Sequence, residues 1–297
     1  MAVKISFSSW NVQQKFGAEG AIALAAKAGF DGMDYSLESY GKGLLPDLVN
    51  MPQDEFTAHF TRLKEYARKS GVEIPTVHGE SLPYGKDEAQ NDLIRRKCIR
   101  EIEAAALLGA KYCVIHSAST VIWGYDASPE FMHEINQRMY NDLIPTAEKH
   151  GVYITLESFG GITVNGIRGY DYFANHKVMR DEYDSLCTDY KAFCVDTGHT
   201  NVAVGGGCLP VEDYIRYFGN RVKMLHMHDN NGFSDQHLMP PYGNINWPEV
   251  FNALDDIGYE GYYNYEIVYK FGDCLEEATM LMGKFLREFT EKRGRID

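Results

Sequence analysis

Long apolar runs are missing from this chain of 297 residues: no stretch of 18 uncharged apolar residues occurs, so no segment reads as a membrane-spanning helix. The opening MAVKISFSS has neither a basic leader nor an apolar core, and the expectation is an unexported, soluble, cytoplasmic protein. Paired cysteine motifs are missing too. Cys98, Cys113, Cys187, Cys194, Cys208 and Cys274 are scattered without a C-x-x-C, which argues against a zinc knuckle or a disulfide frame and fits reduced thiols. There is no glycine-rich phosphate cradle of the P-loop or Rossmann kind, so no nucleotide cofactor is expected. Positive charge is also short, with 29 basic against 42 acidic side chains and a formal net charge of −13. Such a field repels polyanions, and the one basic cluster, Arg95, Arg96 and Lys97, falls in a predicted helix and reads as a solvated face. The partners expected are thus a small molecule rather than nucleic acid or membrane, and a homo-oligomer is compatible with the composition.

What is present is a repeated strand and helix unit. Short apolar runs predict strands at 4–8, 32–36, 72–78, 111–117, 152–158, 191–199, 221–228 and 261–267. Helical periodicity predicts helices at 21–29, 54–70, 87–108, 129–150, 180–188, 209–218, 247–257 and 273–292, many of them closed by glycine before the next strand. Eight such repeats predict a parallel sheet closed into a (β/α)₈ TIM barrel, one domain over residues 1–297. The glycine-rich insertion from Phe159 to Tyr172 reads as a mobile loop over the barrel mouth.

In a barrel of this kind function sits at the C-terminal ends of the strands. Strand three ends on His78, four on His116, five on Glu157, six on Asp196 with His199 three residues on, seven on His226 and eight on Glu266. The spacings from each to the next, 30 to 41 residues, match one unit each. After strand seven the run HMHDNNGFSDQHLMPPYGNINW adds His228, Asp229, Asp235 and His237. Two glutamates, an aspartate and a histidine converging without a cation would repel one another, so a divalent metal is expected. The oxygen-rich donor set suits Mn²⁺ first, with Zn²⁺, Co²⁺ or Mg²⁺ as alternatives. Such a site can polarise a carbonyl and stabilise an enediolate, with Glu157 and Glu266 as acid and base. Trp10, Tyr35, Trp123, Phe159 and Tyr242 offer flat faces for a sugar, His78 and His116 are further candidates to contact it, and Arg168 is a candidate anchor for an anionic group.

The segments VDTGHTN, TLES, HMHDNNGFSDQH and NYE resemble the xylose isomerase-like TIM-barrel superfamily, which holds sugar isomerases and epimerases, related dehydratases and the endonuclease IV type of nuclease. The resemblance implies that Glu157, Asp196, His226 and Glu266 bind one divalent metal and that His199 contacts the substrate. It implies a sugar or sugar phosphate isomerase or epimerase, with a dehydratase or lyase using the same enediolate as an alternative. Where ketose epimerases of this family carry an arginine shortly after the strand-seven histidine, this chain has Asn230, Asn231 and Gly232. The nuclease pattern, with three zincs, has counterparts at His78, His116, Glu157, Asp196, His199, His226, Asp235, His237 and Glu266. Asp235 and His237 are accordingly read as either ligands with His199 of a second metal or supports that orient His226 or close the loop.

Overall fold

The computed structural model describes residues 3–38, 40–41, 45–79, 82–124, 127–164, 167–267 and 271–295, leaving out the side chains at 121–122 and 162–168, so the side chain of Arg168 lies outside the described residues. Eight parallel strands form the barrel: Ile5–Ser8, Gly32–Ser36, Glu73–His78, Tyr112–Val114, Tyr153–Glu157, Lys191–Asp196, Val222–His226 and Tyr263–Tyr265. Strand eight pairs with strand one, and the rest follow in chain order to strand seven. The seam between strands seven and eight closes just past their ends, where Met227 N–H donates to Asn264 O (2.7 Å) and Glu266 N–H donates to Met227 O (3.1 Å). That seam sets Glu266 beside His226.

The helices begin and end where backbone chemistry dictates. Asp87 and Ser128 cap their helices by accepting backbone N–H groups, and Gly29, Gly71, Gly109 and Gly151 close theirs in the left-handed region that glycine enters without strain. The first helix departs from expectation, running from Trp10 to Ala28 with a kink at Gly17 (φ +70°). Its first half is polar and is fastened by Gln13, whose Oε1 accepts the Ser36 N–H at 3.1 Å. Strand six also ends sooner than its apolar run suggests. Asp196 accepts the His199 N–H at 2.6 Å and so turns Thr197–Ala203 into a helix. The glycine-rich insertion holds an antiparallel hairpin, Gly161–Val164 with Ile167–Tyr170, rather than an irregular loop.

The segment after strand seven folds back on itself: Asp229 and Leu238 exchange both backbone hydrogen bonds, at 2.8 Å each. Asp229, counted above among the metal-competent side chains, is structural. It is fully buried and accepts from Trp247 Nε1 (2.8 Å), Asn230 N (2.9 Å) and Ile245 N (3.2 Å). Residue 243 must be glycine, since a Cβ there would lie 2.1 Å from Asp229 Oδ1. Replacing Asp229 by alanine is expected to cost about 3 kcal/mol, because three buried donors lose their acceptor at once; chemical denaturation of the Asp229→Ala protein measures it, and a loss within the error of the parent value would refute the assignment.

Candidate metal centre

The strand ends bring four donors together. One ligand atom from each of Glu157, Asp196, His226 and Glu266 lies within 4.8 Å of the others. His226 Nδ1 sits 2.9 Å from Glu157 Oε1 and 3.2 Å from Glu266 Oε2, while its Nε2 lies 3.4 Å from Asp34 Oδ2. Asp34, at the centre of strand two, is itself held by the Thr76 hydroxyl at 2.7 Å. It is thus a carboxylate behind the imidazole, an arrangement that fixes ring orientation in metal sites. Sequence reading passed over Asp34 because it sits inside the strand and not at its end.

The remaining predicted residues divide into two further groups. His78 and His116 approach Glu157 from strands three and four, with His116 Nε2 3.2 Å and His78 Nε2 3.9 Å from Glu157 Oε2. His199, Asp235 and His237 form the other, with Asp235 Oδ2 at 3.3 Å from His199 Nε2 and 3.0 Å from His237 Nε2. Asp235 and His237 therefore belong with His199, and among the described contacts neither touches His226. His237 Nδ1–H donates to the Glu266 carbonyl (2.9 Å), and its backbone holds φ at +47°, a left-handed conformation that costs a non-glycine residue about 1–2 kcal/mol. The strand-like Asp229–Leu238 pairing next to it holds that strain in place.

The aromatic candidates separate as clearly. Phe159 stacks on His199 with ring centroids 6.4 Å apart, and Trp10 lines the mouth. Trp123 donates its indole N–H to Tyr84 O (3.2 Å) and packs its ring edge-on with Phe131. Tyr35 is fully buried with its hydroxyl on Tyr40, and Tyr242 is exposed on the outer loop. A cavity of about 240 Å³ opens at the rim, lined by Ser8, Trp10, Asn11, Ser36, Glu38, His78, Glu266 and Ile267. Glu266, like Glu38, therefore faces the cavity, whereas Glu157 is buried and does not line it.

The chemistry of the donor set fits a divalent cation. Among the described residues, the buried atom Glu157 Oε2 has no hydrogen-bond partner. Without a cation, protons balance the charge. Burial opposes a charge on His226, but the Cys194 sulfur and the Glu266 and Glu157 carboxylates outweigh it and hold the imidazole well above its usual value. Burial likewise opposes ionisation of Glu157, and His226 and His116 overcome it to hold the carboxyl well below its usual range. Asp196 is lowered against burial by His199 and His228. His237, against burial, is raised to about 9 by its bond to Asp235 and by Glu266. A protonated imidazole here occupies the electrostatic role of a bound cation.

The xylose isomerase-like TIM barrel family matches residues 22–281. The chain belongs to that family. An uncharacterized protein of Methanocaldococcus jannaschii is 28% identical to this family member over 186 residues, which cover 60% of this chain and 59% of that protein. The D-psicose 3-epimerase of Enterocloster bolteae is 28% identical over 124 residues, 42% of this chain and 36% of that enzyme. The chain thus spans less than two thirds of either relative. Among solved structures, D-psicose 3-epimerase with D-tagatose from Clostridium cellulolyticum H10 superposes with a TM-score of 0.76 at 17% identity, covering 99% of this chain and 100% of that one. The IolI protein with a bound zinc atom gives 0.75 at 16% identity, covering 99% and 100%. These likenesses establish the barrel.

The protonation pattern makes stability and metal affinity move oppositely with pH. A histidine raised in the fold contributes stability that is fully present below its unfolded value of about 6.5 and lost as pH rises through its folded value, about 9 for His237. The lowered carboxylates Glu157, Asp196 and Asp235 contribute stability present above about 4 and lost as pH falls. Chelated protein is therefore expected to melt at lower temperature as pH rises from 6.5 to 9, while protein with Mn²⁺ resists the change because the cation takes the deprotonated imidazoles. Calorimetric scans across that range check it; a melting-temperature gap that shrinks with rising pH would contradict the assignment.

Proposed function

We propose that this chain is a metal-dependent sugar isomerase or epimerase working by proton transfer at the carbon next to a carbonyl. The observation that carries the reading is the convergence of Glu157, Asp196, His226 and Glu266 on one point beside a cavity that Glu266 lines. In this reading the four side chains hold one divalent cation, Mn²⁺ by preference. The cation would supply positive charge against the oxyanion of an enediolate as the neighbouring C–H ionises.

The chain's own residues do the rest. Glu266, with its carboxylate toward the cavity, takes the proton from the substrate carbon. Glu157, from strand five, meets the same His226 nitrogen as Glu266 and serves as the second acid or base that an epimerisation requires. His78, on the cavity wall, and His116 next to Glu157 hydrogen-bond substrate hydroxyls. His199, its Nδ1–H fixed on Ser158 O at 2.9 Å, presents its other nitrogen on the side of Asp235. Trp10 supplies the apolar face on which the carbon chain rests. Sharing of family with a D-psicose 3-epimerase supports the substrate class. The same deprotonation followed by loss of a β-substituent would give a dehydratase or lyase.

A second reading is favoured by a separate observation. His78, His116 and Glu157, and likewise His199, Asp235 and His237, each offer donors within 4.8 Å of one another, so up to three cations could be held, as the multi-zinc phosphoesterase pattern requires. The net charge of −13 weighs against a nucleic acid as its substrate.

Two measurements separate these readings. Metal analysis after loading with Mn²⁺ or Zn²⁺ is expected to give about one tightly held ion per chain, and about three would favour the phosphoesterase. Incubation of a ketose panel in deuterated buffer is expected to place deuterium on the carbon next to the carbonyl, with Glu266→Gln slowing exchange by at least about a hundredfold; exchange unaffected by that substitution would remove Glu266 from its role.

A further inference from the structure

His228 stands outside all three donor groups, yet its ring is held from every side. It is fully buried, with Nε2 3.0 Å from Asp196 Oδ1 and 3.1 Å from Asp196 Oδ2, and 3.7 Å from Asp235 Oδ1. Its face stacks on His237 with centroids 3.8 Å apart and planes 9° from parallel. Its backbone is clamped by Thr197, whose Oγ1 accepts the His228 N–H (3.0 Å) and donates to the His228 carbonyl (2.7 Å). The ring fits because residue 198 is glycine, where a Cβ would lie 1.8 Å from His228 Cε1. Among the described residues His228 Nδ1 has no partner, so the polar contacts of this side chain go through Nε2.

We infer that His228 is a positioning residue for the cation site: its Nε2–H holds the Asp196 carboxylate in the rotation that aims an oxygen at the cation, and its stacked face ties the Asp235–His237 segment to the same carboxylate. The inference rests on the reading of Asp196 as a ligand. Asp196 already serves as the helix cap that takes the His199 N–H at 2.6 Å. A carboxylate caught between a cap and an ion turns about its last bond unless a second buried donor holds it, and such supports commonly set metal affinity by about 10- to 100-fold. Thr197 and Gly198 provide that donor with a rigid mount and a slot. Packing alone would need only a flat or branched side chain of similar volume; the N–H is what histidine adds.

The test uses the chelated full-length protein and Co²⁺ alone as probe, read by calorimetry and by the visible absorption of the bound ion. His228→Leu fills the slot without a donor, and His228→Gln places an amide N–H near the position of Nε2. The Leu variant is expected to bind Co²⁺ about 10- to 100-fold more weakly with a changed absorption band, and the Gln variant to stay within about threefold of the parent. Should the Leu protein fail to fold by circular dichroism, Gly198→Ala, which pushes the ring off Asp196, is expected to give the same loss. Equal affinity in the Leu and parent proteins, or a Gln protein as weak as the Leu protein, overturns the inference. A parent that takes up no Co²⁺ instead refutes the cation site itself, and His228 loses its role with it.

Discussion

Charge that has been taken out of water must be balanced within a few ångströms, and that constraint organises the mouth of this barrel. Glu157 and Asp196 are almost wholly withdrawn from solvent, with Glu266 at their side. Isolated carboxylates in such surroundings would give up their charge at a cost of several kcal/mol each. Here His226 and His199, whose imidazoles the neighbouring carboxylates hold well above their usual values against burial, supply the opposing charge, and their nitrogens are geometrically suited to meet a cation instead. In the proposed reading, a site that exchanges imidazolium for a cation as its balancing charge needs its donors fixed beforehand, and the surrounding hydrogen bonds would do that.

Those supports come from each level of the fold. Strand order sets Glu157, Asp196, His226 and Glu266 on neighbouring strands at the closing half of the barrel. Ser158 accepts the Asp196 N–H on its hydroxyl at 2.9 Å and the His199 Nδ1–H on its carbonyl at 2.9 Å, joining the ends of strands five and six. Asn230 Nδ2 donates to Gly198 O at 2.9 Å, joining strand six to the segment after strand seven. Asp229 holds that segment from below through Trp247. The two glutamates end in unlike places as a result: Glu157 is enclosed among imidazoles, whereas Glu266 borders the cavity. In the proposed reaction that inequality decides which carboxylate meets the substrate first.

The barrel was legible in the sequence because its strands are short apolar runs at a regular spacing, and strand two was placed to the residue at Gly32–Ser36. The convergence of the strand-end donors was legible for the same reason, since spacing of one unit per strand converts chain order into position around a rim. What escaped has local causes. The polar first half of helix one lacks an apolar stripe, and its kink at Gly17 breaks the helical period. The predicted strand 191–199 runs three residues too far because Asp196, where the apolar run AFCV stops, caps the next backbone turn into a helix. The hydrogen bond from the Trp123 indole N–H to Tyr84 O joins residues 39 apart and is announced by no pattern. Asp34 and His228 act through other side chains rather than from a strand end, so only coordinates reveal what they touch. The one cue to His228 in the sequence is the pairing of Gly198 with a histidine-rich segment 30 residues on, which becomes meaningful once both lie in the same place.

The central claim is that four side chains from four strands share one cation. Crystals grown with Mn²⁺ and measured on both sides of the manganese absorption edge test it most directly. The account predicts an anomalous peak at about 2.1–2.3 Å from oxygen atoms of Glu157, Asp196 and Glu266 and from a ring nitrogen of His226. A barrel mouth without such a peak, or with manganese bound away from these four residues, would contradict it.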